Sequence, residues 1–253
     1  RSTPLYSSAA SDVYKRQVLE SKPDEDLQTI RKKYLKLSKE HHPDILISKG
    51  VPKEVIEDMN IIPWADRDIF YEAAPEMKKH GIRSLLTMKG CPYKCTYCFN
   101  HAFNTMFKGP GVKLLRRRSV SDVLEEVKSL VKNYPEVRFI RFADDVFVTP
   151  DQEQLDWLDE FTYRYSKEVG IPFYCLIRAD ALTKDVIEKL KKANCASVCM
   201  SVEAGSAHVR NKVLKRNMTD EILLNAFHGA RKNGINIWGT TILGIPGTTI
   251  EDD

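Results

Sequence analysis

The sequence predicts an α/β fold in which strands and helices alternate around one parallel sheet. Three observations carry that expectation. From Ser84 onward, short apolar runs alternate with longer stretches whose apolar residues recur at helical spacing. Hydroxyl residues suited to N-caps stand at the start of three of those stretches, at Ser119, Thr183 and Thr219. Repeated strand–helix units return each strand in the same direction, which implies a parallel sheet with right-handed crossovers.

Taken in order, Ser84–Gly90 reads as a first strand. Ser119, with Asp122 three residues on, opens a helix with Val120, Val123, Leu124, Val127, Leu130 and Val131 on one face. Arg138–Val148 is the second strand, Gln154–Val169 a helix, and Phe173–Leu182 the third strand. Thr183 caps a helix over Asp185–Ala193, and Ser197–Ala204 is the fourth strand. Thr219, Asp220 and Glu221 open a helix with Ile222, Leu223, Ala226 and Phe227 inward, closed by Asn233-Gly234. Ile235–Ile245 is the fifth strand.

The chemistry concentrates in Cys91-Pro92-Tyr93-Lys94-Cys95-Thr96-Tyr97-Cys98, directly after the apolar Ser84–Met88 run. Three thiolates at C-x3-C-x2-C spacing can hold three corners of one iron–sulfur cube and leave the fourth iron open. The alternative is a Cys3His zinc knuckle with His101 as fourth ligand. The strand-then-cysteine-loop context favours the cluster.

This run, with an aromatic residue at Tyr97, resembles the signature of the radical S-adenosylmethionine (radical SAM) superfamily, and the likeness extends over residues 60–253. Residues 60–83 then read as a connector and residues 84–253 as the core. The resemblance implies a [4Fe–4S] cluster on Cys91, Cys95 and Cys98. It implies S-adenosylmethionine (SAM) on the open iron, cleaved by one electron to methionine and a 5′-deoxyadenosyl radical. It further implies a partial (βα)6 barrel, TIM-like but open, truncated here after strand five. In such barrels the chemistry lies at the C-terminal strand ends, where the cysteine loop stands. Gly244-Ile245-Pro246-Gly247 resembles the family's turn after strand five.

Other site residues follow from the same resemblance. Asp144 and Asp145 lie where many members carry Gly-Gly-Glu for the SAM amino group, and the acidic pair is similar to cobalamin-associated members. The alternative is a solvated strand end. Arg178 would pair the SAM carboxylate, against the alternative of an ion pair with Asp180. Glu203 matches the family's strand-four glutamate, facing the ribose or amino region. Gly244 and Ile245 would flank the adenine, and Phe99 and Asn100 would stand near SAM. Cobalamin is implied for the full-length protein, with a flavodoxin- or ferredoxin-type electron donor and a small-molecule or peptide substrate. Cys175, Cys195 and Cys199 read as small core residues. Arg116-Arg117-Arg118 reads as a solvated turn, and His101, His208 and His228 as non-ligands.

The formal net charge of +4, from 39 Lys+Arg against 35 Asp+Glu, is too small to point to nucleic acid. No apolar run reaches transmembrane length. The six cysteines, three of them in metal spacing, place the chain in a reducing, cytoplasmic compartment.

The N-terminal part reads differently. Residues 1–17, ending in Asp12-Val13-Tyr14-Lys15-Arg16-Gln17, match a translated sequencing-library adaptor and are expected to be a disordered artefact. In residues 18–59, Leu27, Ile30, Tyr34, Leu35 and Leu37 form an apolar helical stripe opposite a basic face. Proline stops the helix at His42-Pro43-Asp44. The basic helix and this tripeptide resemble a J-domain of the DjlA-like branch, which implies Hsp70 as partner through His42-Pro43-Asp44. Pro63 leaves no room for the third J-domain helix, so a join is expected near residues 58–60. The rival reading is therefore a J-domain co-chaperone, or an inactive chimeric fragment.

Overall fold

The structure, a computed structural model, describes residues 58–106 and 113–249, with positions 26, 28, 29, 32, 33 and 36. Positions 28, 29, 32, 33 and 36 are helical, and the Asp26 carboxylate accepts from the Gln28 and Thr29 amides at 2.8 and 3.0 Å. Residues 1–17 and the His42-Pro43-Asp44 loop lie outside the described residues. The chain divides into two compact units. The described part of the first contains helices α1 (Asp68–Ala73) and α2 (Pro75–Lys78), the latter opened by Pro75, whose fixed φ suits a first turn.

The second unit holds β1 (Ile82–Leu85), β2 (Met88–Lys89), α3 (Phe99–Met106), β3 (Arg116–Arg117), α4 (Val120–Asn133) and β4 (Phe139–Phe142). It continues with α5 (Gln152–Glu168), β5 (Phe173–Leu176), α6 (Lys184–Lys192), β6 (Cys195–Glu203), α7 (Asp220–Lys232) and β7 (Asn236–Thr241). The main sheet has the order β1-β4-β5-β6-β7 with every pair parallel, and it is an open sheet. β2 and β3 form a separate antiparallel pair. This is the alternating α/β architecture that the periodicity predicts.

The three expected caps form. Ser119 Oγ accepts from the Asp122 amide, Thr183 Oγ1 from Val186, and Thr219 Oγ1 from Ile222. Each cap satisfies an amide that the first helical turn leaves without a partner, an effect of about 1 kcal/mol. Asp151 caps α5 in the same way. Gly234, at φ +68, closes α7. The helix-facing side of the sheet is filled by Phe142, Phe147, Phe161, Tyr165 and Phe173, all at 0% exposure. Phe142 meets Phe173 and Phe161 edge-to-face at 5.2 and 5.6 Å, the arrangement favoured by ring quadrupoles. Burying each ring contributes on the order of 2–3 kcal/mol.

Four strands are shorter than predicted, the fifth ending at Thr241. The first breaks after Leu85, and Met88–Lys89 turns away to pair with β3. The second stops at Phe142, because Val146, Phe147 and Val148 are buried without joining the ladder. The third stops at Leu176, and Ala181 and Leu182 close turns onto the Arg178 carbonyl instead. An apolar run reports burial, and irregular backbone packed on the core produces the same run as a strand.

The reading of Arg116-Arg117-Arg118 as a solvated turn is corrected. Arg118 is 7% exposed and pairs with Asp122 and Glu126 while donating to the Leu86 carbonyl at 2.8 Å. Arg117 stacks 4.1 Å over the Trp157 ring and donates to Thr87 Oγ1 and the Phe147 carbonyl. Carboxylates and an aromatic face, supplied from the following helices, make the burial of these cations tolerable. Cys175 and Cys195 are core residues as expected, and Cys199 is half-buried. Among the described residues no helix is long and apolar enough to cross a membrane.

Candidate functional site

Parallel strands bring their C-terminal ends to one edge of the sheet, and the chain leaves β1 there. Thr87 and Met88 turn the backbone out of the sheet, and Asp144, beyond the end of β4, fixes that turn. Asp144 is 1% exposed. Its Oδ1 accepts from the Thr87 and Met88 amides at 2.6 and 2.8 Å, and its Oδ2 accepts from Thr87 Oγ1 at 2.8 Å. Gly90, at φ +100, then reverses the chain into the cysteine loop.

The loop is tied down along its length. Asn104 Nδ2 of α3 donates to the Cys91 carbonyl at 2.7 Å, and the Cys98 amide bonds the Cys95 carbonyl. Cys91, Cys95 and Cys98 are free thiols, Cys95 buried and the other two half-buried. Burial pushes the Cys91 thiol up, as do the nearby Cys98, Asp145 and Cys95. Among the described residues, no three or more His, Cys, Asp or Glu side chains are gathered closely enough to hold a metal ion as they stand. Three free thiols on one short loop are a donor set for three of the four irons of an iron–sulfur cube, one thiolate to each.

Four charged residues expected at this site take definite places. Asp145 is exposed, unlike its buried neighbour. Both Asp144 oxygens accept hydrogen bonds from Thr87 and Met88. Burial raises its carboxyl to about 6 from the usual 3.8, against the opposing effect of these hydrogen bonds and of Arg117. Arg178 is also partnered within the chain. Its fork is bidentate on Asp180 at 3.0 and 2.8 Å, the alternative weighed from sequence. Yet this is no surface pair: the Arg178 side chain is 11% exposed. Its guanidinium lies 3.6 Å over the Tyr93 ring, with Nη1 3.7 Å from Cys95 Sγ.

Glu203 is 7% exposed, in the left-handed region at φ 71, beside a register shift between β6 and β7. Its Oε1 accepts from Tyr97 Oη at 2.7 Å and from Arg216 Nη1 at 3.2 Å. Burial, followed by the Glu203 hydrogen bond, pushes the Tyr97 phenol well up. Ile245 packs with Ala204, Val209 and Leu214, and Gly244 stands at φ +71 beside it. Phe99, 69% exposed, and Asn100 open α3 immediately after Cys98.

Sequence reasoning singled out neither Arg216 nor Asn104, and it noted Tyr97 only as an aromatic neighbour of a cysteine. One signal was available. A glutamate inside an apolar strand requires a cation once buried, and the chain following Glu203 supplies Arg210 and Arg216.

The Asp144 geometry yields a pH prediction. With a folded-state value above the unfolded one, the native state holds more protons through that window. Stability from this group is then greatest below about pH 4 and falls as pH rises through about 6. Asp144→Asn removes this slope. The measurement is the difference between wild-type and variant denaturation midpoints across the window; parallel curves would show that another group titrates there.

Comparison with known proteins gives a consistent picture. Residues 85–253 match the profile of the Radical SAM superfamily. An uncharacterized methyltransferase of Pyrococcus horikoshii is 24% identical over 205 residues, covering 79% of this chain and 41% of its own length. The co-chaperone protein DjlA of Escherichia coli is 52% identical over 40 residues, 16% of this chain and 15% of its own. The chain thus spans less than half of either relative. Among solved structures, the cobalamin-dependent SAM radical enzyme OxsB, with aqua-cobalamin and SAM bound, is similar at TM-score 0.59 and 21% identity. That match covers 74% of this chain and 27% of OxsB. The radical SAM methyltransferase TsrM of Kitasatospora setae, with cobalamin and a [4Fe–4S] cluster bound, is similar at TM-score 0.58 and 19% identity, covering 70% and 34%.

Proposed function

The chain belongs to the Radical SAM superfamily, and from that premise we propose that its core holds a [4Fe–4S] cluster on Cys91, Cys95 and Cys98 and binds SAM beside it. The observation that carries this reading is the placement of three free thiols on one braced loop at the C-terminal edge of a parallel sheet. When bound, cluster and SAM supply a 5′-deoxyadenosyl radical by one-electron reductive cleavage.

The protein's part is to hold and orient. Asp145, the exposed member of the acidic pair, receives the SAM ammonium, as an acceptor-only group can. Glu203 lines the ribose side, anchored through Oε1 by Tyr97 and Arg216. Phe99 and Asn100 stand at the mouth, and Gly244 and Ile245 flank the adenine. Arg178 supports the loop through Tyr93 and Cys95, beside the place proposed for the SAM carboxylate. The similarity to cobalamin-dependent enzymes extends the proposal to cobalamin in a longer protein, with a flavodoxin- or ferredoxin-type donor and methyl transfer to a small molecule or peptide. Such a cluster belongs in the reducing cytoplasm.

A second reading is favoured by the DjlA similarity alone: an Hsp70-stimulating segment at His42-Pro43-Asp44. One experiment separates the two. Anaerobically reconstituted protein is given SAM and dithionite, and 5′-deoxyadenosine is measured by mass spectrometry; the same preparation is assayed for stimulation of an Hsp70 ATPase. The enzyme reading expects reductant-dependent 5′-deoxyadenosine and no stimulation. Stimulation lost in His42→Gln, without nucleoside product from iron-loaded protein, reverses the assignment.

A further inference from the structure

Three residues outside glycine sit in the left-handed region around one ion pair: Glu203 at φ 71, Lys215 at 54 and Asn217 at 54. Such backbone costs energy and persists only where surrounding contacts enforce it. Lys215 and Asn217 bracket Arg216, and they follow a π-helical turn, Val209–Val213, itself an uncommon geometry often found at functional sites.

This strained segment meets the cysteine loop at several points. The Val213 carbonyl accepts from Thr96 Oγ1 at 2.9 Å and the Leu214 carbonyl from the Thr96 amide at 3.2 Å. Arg216 Nη1 donates to Tyr97 Oη at 2.5 Å, and Arg216 Nη2 to the Ser201 carbonyl at 2.8 Å. The Arg216 carbonyl accepts from Arg178 Nη2 at 2.8 Å, and Arg178 in turn reaches Tyr93 and Cys95. Two carbonyls and one guanidinium therefore meet the flank after Cys95, and the Arg216 carbonyl reaches Tyr93 and Cys95 through Arg178. The Val213 and Leu214 carbonyls stand at the end of the π-helical turn, where no further helical amide claims them.

The segment is also braced without the loop. Arg210, 1% exposed, donates to the Ala204, Gly205 and Met218 carbonyls and pairs with Asp220. The Asn211 side chain exchanges two hydrogen bonds with Met218. A rigid part that contacts the loop at several points can shape it before any ligand arrives.

We infer that residues 213–217 are a mould that preforms the cysteine loop, with Arg216 as its positioning residue and Thr96 as the loop's point of attachment. The inference rests on the proposed function for its purpose, but its test uses the cluster-free protein. Metal-free full chain is exposed to a thiol reagent, and alkylation of Cys91, Cys95 and Cys98 is followed by peptide mass spectrometry, with core Cys175 as internal reference.

Arg216→Ala is expected to speed alkylation of Cys95 about tenfold or more while Cys175 stays protected. Arg216→Lys should restore much of that protection. Thr96→Val removes one hydroxyl bond from an exposed residue and leaves the buried ion pair intact, so it tests the attachment even if Arg216→Ala fails to fold. It should speed Cys95 severalfold. Lys215→Gly and Asn217→Gly, which accept the left-handed conformation freely, should react as wild type. Unchanged Cys95 rates in Thr96→Val, or equal acceleration of Cys95 and Cys175 in a folded Arg216→Ala protein, overturns the inference. Absence of a cluster after reconstitution, with protection patterns as expected, would count against the proposed function and leave the mould standing.

Discussion

Cys95→Ala is expected to reduce bound iron from about four atoms per reconstituted chain to nearly none. Three thiolates are the minimum for a site-differentiated cube, and the middle one is the buried member of this set, enclosed by Arg178 and Tyr93. Removing it leaves two partly exposed thiols, which hold a cube weakly and expose it to solvent. Cys91→Ala and Cys98→Ala should behave alike. Cys199→Ser, on β6 away from the loop, should keep the full complement. Iron and acid-labile sulfide analysis with the visible thiolate-to-iron absorbance reads the result. Stoichiometric iron in the triple alanine variant would sink the assignment of the ligands.

Gly90→Ala carries the largest expected effect on folding. Gly90 stands at φ +100, and a Cβ there would lie 1.9 Å from the Leu114 carbonyl oxygen and 3.0 Å from its carbon. Both are backbone atoms, so no side chain can move aside. Relief requires separating β2 from the chain entering β3, which would pull Arg117 off Thr87 and Trp157. Backbone strain and the lost contacts together should cost about 3–5 kcal/mol, a large part of the roughly 5–15 kcal/mol that holds a domain. Gly247→Ala is the matched control. Gly247 has φ +83 with nothing near its missing Cβ, so only the conformational cost of about 1 kcal/mol remains. Denaturant midpoints compare the two. Equal losses would mean that the conformation at Gly90, not the collision with Leu114, sets the cost.

Local signals carried much of this molecule. The stripe from Val120 to Leu130 is buried against the sheet in α4, and Ser119, Thr183 and Thr219 all cap the helices they precede. Helical period and capping depend on residues three or four apart, so a linear reading captures them. The cysteine loop was legible for the same reason, because its donors lie within one octapeptide. Strand ends were read too long at Val148 and Leu182, where buried backbone leaves the ladder while staying apolar.

What the sequence by itself determined, then, is the order of strands and helices, the helix starts and the three-thiol loop. The tertiary structure alone decided how the charges are spent. It turned Asp144 onto Thr87 and exposed Asp145, closed Arg178 on Asp180, buried Arg118 and laid the half-buried Arg117 over Trp157. It joined Tyr97 to Glu203 across 106 positions and to Arg216 across 119. Neighbouring aspartates are chemically identical along the chain. Which of them faces a ligand depends on which one finds donors after burial, and those donors come from strands whose proximity exists only in the folded sheet.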